Sequence, residues 1–310
     1  MTRSLCRSAA ALVAVVLLSC GAGSPSPDAT FTFDVRYRPT VDAMTQPQRD
    51  VLAAAVEAAA DRIRAMITAG IVPVRVSGYD CGGTLETVRL DETVRGVVVL
   101  VSYGDLNSSA TLASSGPCIV RKHGKLPLVS VVQFNSGSSN IRTALSTNDV
   151  PFLETVALHE MFHALGFGTV WVDIPWLVTR KGTSDPVYRG GRAVTAAKEF
   201  NDAPATLLGI PVENLGFQGT IGSHWRESTL VDELMTGIVN QGGANPLSHA
   251  SIASLGDLGY HVDLSQADVE PAFVWPGAAL RAPAPSQGIS FGEDVIRTTP
   301  AEVDELVEVP

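Results

Sequence analysis

The sequence is poor in four features that would narrow its function at once. It has no excess of positive charge: 22 Lys and Arg stand against 32 Asp and Glu, a formal net charge of −10 at pH 7. That argues against a nucleic-acid partner, where a basic surface carries much of the affinity. It has only 4 cysteines in 310 residues, too few for a cysteine-rich scaffold. After the first 20 residues no apolar run approaches membrane-spanning length, and no internal repeat is present.

The N-terminus has the three parts of an export signal. Arg3 and Arg7 precede the apolar "SAAALVAVVLLS", which gives way at once to small and polar residues. "LLSC" before "GAG" resembles a bacterial lipobox, which implies cleavage before Cys20 and lipid attached to its thiol. The alternative is cleavage a few residues later and a free secreted protein. Residues 1–19 are thus expected as a signal peptide and 20–30 as a Pro/Ser/Gly tether. With Cys6 removed and Cys20 lipidated, Cys81 and Cys118 remain and are expected to pair in an oxidising compartment.

Along the chain, "FTFDVRYR", "VPVRVSG", "RGVVVLVSYGDL" and "LPLVSVVQFNSG" read as strands. "SSATLASSGPCIVRKHGK" reads as a loop. A long alanine-rich helix is expected after Thr45, closing at Gly70. A compact helix is expected over 151–166, with shorter ones in "VTAAKEFND" and "HASIASLGDLG". The catalytic-size unit spans 31–275, divided near 168, and 276–310 is a Pro-rich acidic tail. These elements predict an α+β fold: a mixed-sheet N-terminal part with a long helix, then an irregular C-terminal part of loops and short helices.

The chemistry concentrates in "TVALHEMFHALGFG". On a helix, His159 and His163 share one face with Cβ atoms about 5–6 Å apart, close enough to grip one ion. Zn²⁺ takes imidazole nitrogen well, and Glu160 is placed to reach a water on the metal. The bland reading is a core helix with two satisfied histidines. A catalytic zinc site needs a third protein ligand, and the residues leave Glu199, His224, His249 and His261 open. Gly166 lets the helix stop and the chain turn sharply away. His123 reads as part of a solvated loop, His261 as a strand end, and Trp171, Trp176 and Trp225 as packing.

"HEMFHALGF", "GSHWRES", "ELMTG" and "NPLS…IASLGDLGY", in that order, resemble the leishmanolysin family of zinc metallopeptidases, which are metzincins. The resemblance covers roughly residues 40–275 and is strong over 155–262. It implies that His159, His163 and His224 bind one Zn²⁺, that Glu160 is the general base, and that Met235 lies in the turn beneath the metal. It implies a zinc endopeptidase acting on proteins or peptides; together with the export signal and "LLSC", the expectation is an extracytoplasmic enzyme held at a membrane through a lipid on Cys20. Members with a propeptide block the zinc with a cysteine. This chain resembles the shorter bacterial relatives, and latency by that switch is not expected. "VVVLVSY" is expected to offer an edge for an extended substrate. Two other readings are a surface-binding module that keeps the site without activity, and a gluzincin-type peptidase with Glu199 as third ligand.

Overall fold

The computed structural model describes residues 30–81, 89–217, 219–240, 244–268, 273–275, 288–290 and 300–303. The signal, the tether, Cys20 and most of the 276–310 tail lie outside them. No helix among the described residues is long and apolar enough to cross a membrane.

The N-terminal part is a sheet with helices on one face and a ribbon on the other. Its strands are β1 (Thr32–Tyr37), β2 (Val74–Asp80), β3 (Arg89–Val94), β4 (Gly96–Gly104), β5 (Ala113–Arg121) and β6 (Pro127–Asn135). Its helices are α1 (Gln46–Met66), α2 (Ser139–Thr147) and α3 (Val150–Ala164). The near-continuous apolar run of β4 is explained by burial on both faces. Val97, Val99 and Val101 join a core with Leu52, Val56 and Ile63 of α1 and Leu153 and Ala157 of α3. Val98 and Leu100 join a second core with Val74, Val76 and Leu90 of the β2–β3 ribbon. A disulfide between Cys81 and Cys118 ties the end of that ribbon to β5.

The C-terminal part is built from short pieces: β7 (Val178–Thr179), β8 (Val187–Tyr188), α4 (Gly191–Phe200), β9 (Ile210–Pro211), α5 (Glu227–Leu230), β10 (Ile238–Asn240) and α6 (His249–Leu258). Two later strands, β11 (Gly288–Ser290) and β12 (Ala301–Val303), pair with β10 and β5. The large sheet therefore runs β1-β4-β6-β5-β12, parallel except for β5 against β6. This is the expected α+β plan.

Four local expectations need correction. "SSATLASSGPCIVRKHGK" is not a loop but contains β5. Its Gly116 and Pro117 read as strand breakers, yet the register shifts between Pro117 and Ile119, and such a bulge accommodates a proline that cannot donate. "VVVLVSY" offers no edge for substrate, because β4 is hydrogen-bonded to β1 on one side and β6 on the other. α1 stops at Met66 rather than Gly70, since Ile67 turns extended and bridges to Val262. The packed core does not end near 275, because Val303 is buried in the second core.

Candidate metal centre

The helix carrying the first two histidines begins at Asp149, whose carboxylate accepts the Phe152 N–H. Such a cap satisfies one of the orphan donors at a helix start. Pro151 in the first turn lacks a donor that would have gone unused. The helix ends at Ala164, where Ser130 of β6 donates to the Ala164 carbonyl at 2.7 Å and fixes that end on the sheet. Gly166 follows at φ +106°, a conformation that L side chains rarely adopt, so the chain leaves the helix where the sequence suggested.

Gly168 is a site-forming residue that the sequence reading passed over. It has φ +71°, and a Cβ there would lie 2.1 Å from the Ser223 carbonyl oxygen. Only glycine lets the backbone carrying His224 approach the exit of the helix this closely. The segment before His224 is organised by buried Glu213. Its Oε1 accepts the N–H groups of Asn214 and Leu215, and its Oε2 accepts that of Glu227, each at 2.9 Å. Its own N–H donates to the His224 carbonyl at 2.9 Å. Behind the histidine, Trp225 packs edge-on against Phe167 at 5.0 Å and beside Trp171 at 5.2 Å. Trp171 and Trp225 are fully buried and serve packing as expected, whereas Trp176 is 59% exposed.

His159, His163 and His224 are all fully buried, with ring nitrogens gathered at one point. Their Nε2 atoms stand 3.0, 3.1 and 3.2 Å apart in the three pairs. Each Nδ1 faces a backbone carbonyl: His159 that of Leu234 at 2.7 Å, His163 that of Phe167 at 2.8 Å, and His224 that of Thr220 at 3.0 Å. A carbonyl only accepts, so each Nδ1 carries the proton and each Nε2 is left with a lone pair. Three lone pairs aimed at one another repel unless a cation sits between them. A tetrahedral zinc with nitrogens at about 2.0–2.1 Å sets those nitrogens about 3.3 Å apart, close to what is seen. The donor set fits the ion. The N–H to carbonyl contact on the far side of each ring is the usual device for fixing a metal-binding imidazole.

Glu160, next to His159 on α3, is also fully buried. Met235 is fully buried in the turn that follows Leu234, and its carbonyl accepts the Trp225 N–H at 3.0 Å. The turn is held by Glu233, completely buried, whose carboxylate accepts from the N–H groups of Met235 and Ser248 and from the Ser251 hydroxyl. Burial pushes the Glu233 carboxyl up to about 7, against the pull of those donors.

The other sequence candidates lie elsewhere. Glu199 is exposed on α4, lining a cleft with Ala253 and Asp257 of α6. His249 opens α6 and stacks on Phe200 with ring centres 4.2 Å apart. His123 and His261 are exposed. Among the described residues, the one group of three or more metal-binding side chains that converges is the histidine trio.

Comparison with known proteins agrees with this geometry. The family model described as leishmanolysin, peptidase M8, matches residues 42–279. The chain belongs to the leishmanolysin family. Leishmanolysin of Leishmania major is 34% identical over 122 residues, covering 37% of this chain and 20% of that protein. Leishmanolysin of Leishmania donovani is 32% identical over 181 residues, 56% of this chain and 28% of that protein. A leishmanolysin homolog of Crithidia fasciculata is 30% identical over 161 residues, 50% and 23% of the two chains. The chain thus spans about a fifth to just over a quarter of the length of these leishmanolysins.

Proposed function

We propose that the chain is an extracytoplasmic zinc endopeptidase, with His159, His163 and His224 as metal ligands and Glu160 as general base. The observation that carries this is the convergence of three Nε2 atoms at 3.0–3.2 Å, each ring backed at Nδ1 by a backbone carbonyl. Family membership supports it. A bound zinc ion supplies Lewis-acid polarisation of a carbonyl and lowers the pKa of water from 15.7 toward about 7. Glu160 then takes a proton from the attacking water on its carboxylate and passes it to the leaving amine. Its burial keeps bulk water from competing for that proton. The three Nδ1–H to carbonyl bonds hold the imidazoles in the tautomer that binds. Met235 closes the floor of the site. The substrates are proteins or peptides.

Glu160→Ala is expected to lower casein or peptide cleavage about 10²–10⁴-fold while leaving near-stoichiometric zinc by elemental analysis. Wild-type turnover in that variant removes Glu160 from the mechanism.

The localisation rests on the N-terminal sequence, where a lipid on Cys20 anchors the protein to a membrane surface. Two or more acyl chains make such attachment lasting, at about 0.8 kcal/mol per buried CH₂. Cys20→Ser should move the protein from the membrane fraction to the medium or leave it unprocessed. A soluble wild-type protein whose N-terminus lies beyond Cys20 contradicts the anchor.

A further inference from the structure

The turn that follows α5 contains a carboxylate that the peptidase reading does not use. Glu233 has no access to solvent, and its carboxyl oxygens are met by donors from three places in the sequence. The Met235 N–H, two residues on, meets Oε2. The Ser248 N–H, at the start of α6, meets Oε1 at 3.0 Å, and so does the Ser251 hydroxyl one turn into that helix. Hydrogen bonds to a buried carboxylate are about twice as strong as neutral ones.

Both ends of this cluster lead to a histidine. Leu234, between Glu233 and Met235, presents the carbonyl that receives His159 Nδ1–H at 2.7 Å. Ser251 also accepts the indole N–H of Trp225 at 2.7 Å, and Trp225 directly follows His224. The backbone of Trp225 is joined to the same turn, through its N–H to the Met235 carbonyl and a bridge to Thr236. The first and third histidines, 65 positions apart in sequence, are therefore referred to one carboxylate.

We infer that Glu233 is a positioning residue for the metal site: it locks the 233–236 turn to α6 and so sets the His159 ring and the segment carrying His224. The inference rests on the zinc reading, and it concerns how the ligands are held rather than which residues they are. It accounts for an acidic side chain standing where it has no access to solvent. An amide cannot replace it. Whichever way Gln at this position is flipped, its NH₂ faces a backbone N–H, that of Met235 or that of Ser248, and one donor is left opposed.

The test compares wild type, Glu233→Gln, Glu233→Asp, Ser251→Ala and Val56→Ala. Each is stripped of metal, reloaded with Zn²⁺ against a competing chelator, and separately loaded with Co²⁺, whose visible absorption reports ligand geometry. Val56 is buried on α1 and its side chain makes none of the hydrogen bonds that hold the turn, so its truncation lowers stability without cutting the ties between the turn and α6. Glu233→Gln is expected to bind zinc about 10–100-fold more weakly, the range for losing a group that orients a metal ligand, with an altered cobalt spectrum while still folded. Glu233→Asp should recover part of the affinity. Ser251→Ala, which removes the hydroxyl joining Glu233 to Trp225 and leaves the two backbone donors in place, should shift affinity in the same direction by less, and it serves as the decisive variant should Glu233→Gln not fold. Val56→Ala should melt earlier with wild-type zinc affinity and spectrum.

Wild-type affinity and spectrum in folded Glu233→Gln, or in Ser251→Ala where Glu233→Gln does not fold, overturn the inference and leave the zinc reading intact. A fall in affinity for Val56→Ala as large as for Glu233→Gln also overturns it. A wild-type chain that holds neither zinc nor cobalt overturns the zinc reading itself, and the inference with it.

Discussion

The two parts of the molecule hold the three histidines by different means. His159 and His163 come from a regular helix, capped at one end by Asp149 and pinned at the other by Ser130, lying on a sheet whose core is valine, leucine and alanine. Burial of apolar surface does that work, at roughly 25 cal/mol per Å². His224 comes from a stretch with almost no regular structure. Its place is set by Glu213 bracketing the approach, Gly168 admitting the backbone, Trp225 wedged among aromatics, and Glu233 clamping the turn opposite. In the first region a ligand is placed by secondary structure and packing. In the second it is placed by individual polar and steric contacts, any of which a single substitution removes. Metal affinity and global stability should therefore separate in the sheet region and fall together around His224.

The disulfide offers the largest test on the sheet side. Closing a 37-residue separation stabilises the fold by about 4 kcal/mol in the chain-entropy model. Cys118→Ser should lower the denaturant midpoint accordingly. At temperatures where it remains folded, it should bind zinc as wild type does. A loss of zinc from the folded variant would break the distinction between the regions.

Gly168→Ala tests the other side. The left-handed backbone alone costs an L residue roughly 1–2 kcal/mol, and the overlap with the Ser223 carbonyl adds to that. The expected loss is at least about 2 kcal/mol by thermal or chemical melting, with zinc affinity falling at the same time. Unchanged affinity in a destabilised Gly168→Ala protein would mean that the His224 segment finds its place without this close approach. The smallest effect is expected at Glu199, an exposed α4 residue: Glu199→Ala should change stability within about 0.5 kcal/mol and leave zinc bound.

The same contrast governs what the sequence revealed. β1, β4, β6, α1 and α3 were legible because burial on sheet and helix faces imposes a period on the residues themselves. β5 was hidden by Gly116 and Pro117, whose breaker character is absorbed by a bulge that only the partner strand discloses. β3, "RLDETV", is a charged ribbon strand with two buried positions, Leu90 and Val94, and little pattern to read. The histidine motif and "ELMTG" were legible as order along the chain. The supports of His224 were not, because the role of Gly168 depends on Ser223 and that of Glu233 on Ser248 and Ser251, contacts that no local pattern encodes. The pair of glycines in "GFG" and an acidic residue just before an apolar turn were the signals available.

The central claim is that an irregular loop delivers the third ligand of a zinc site begun on a helix. Zinc content and affinity of purified wild type and His224→Ala, measured side by side with Glu199→Ala, test it most directly. The account predicts one zinc per wild-type chain, a sharp loss of zinc and of peptide cleavage in His224→Ala, and wild-type zinc in Glu199→Ala. Retention of zinc by His224→Ala together with its loss from Glu199→Ala would contradict it.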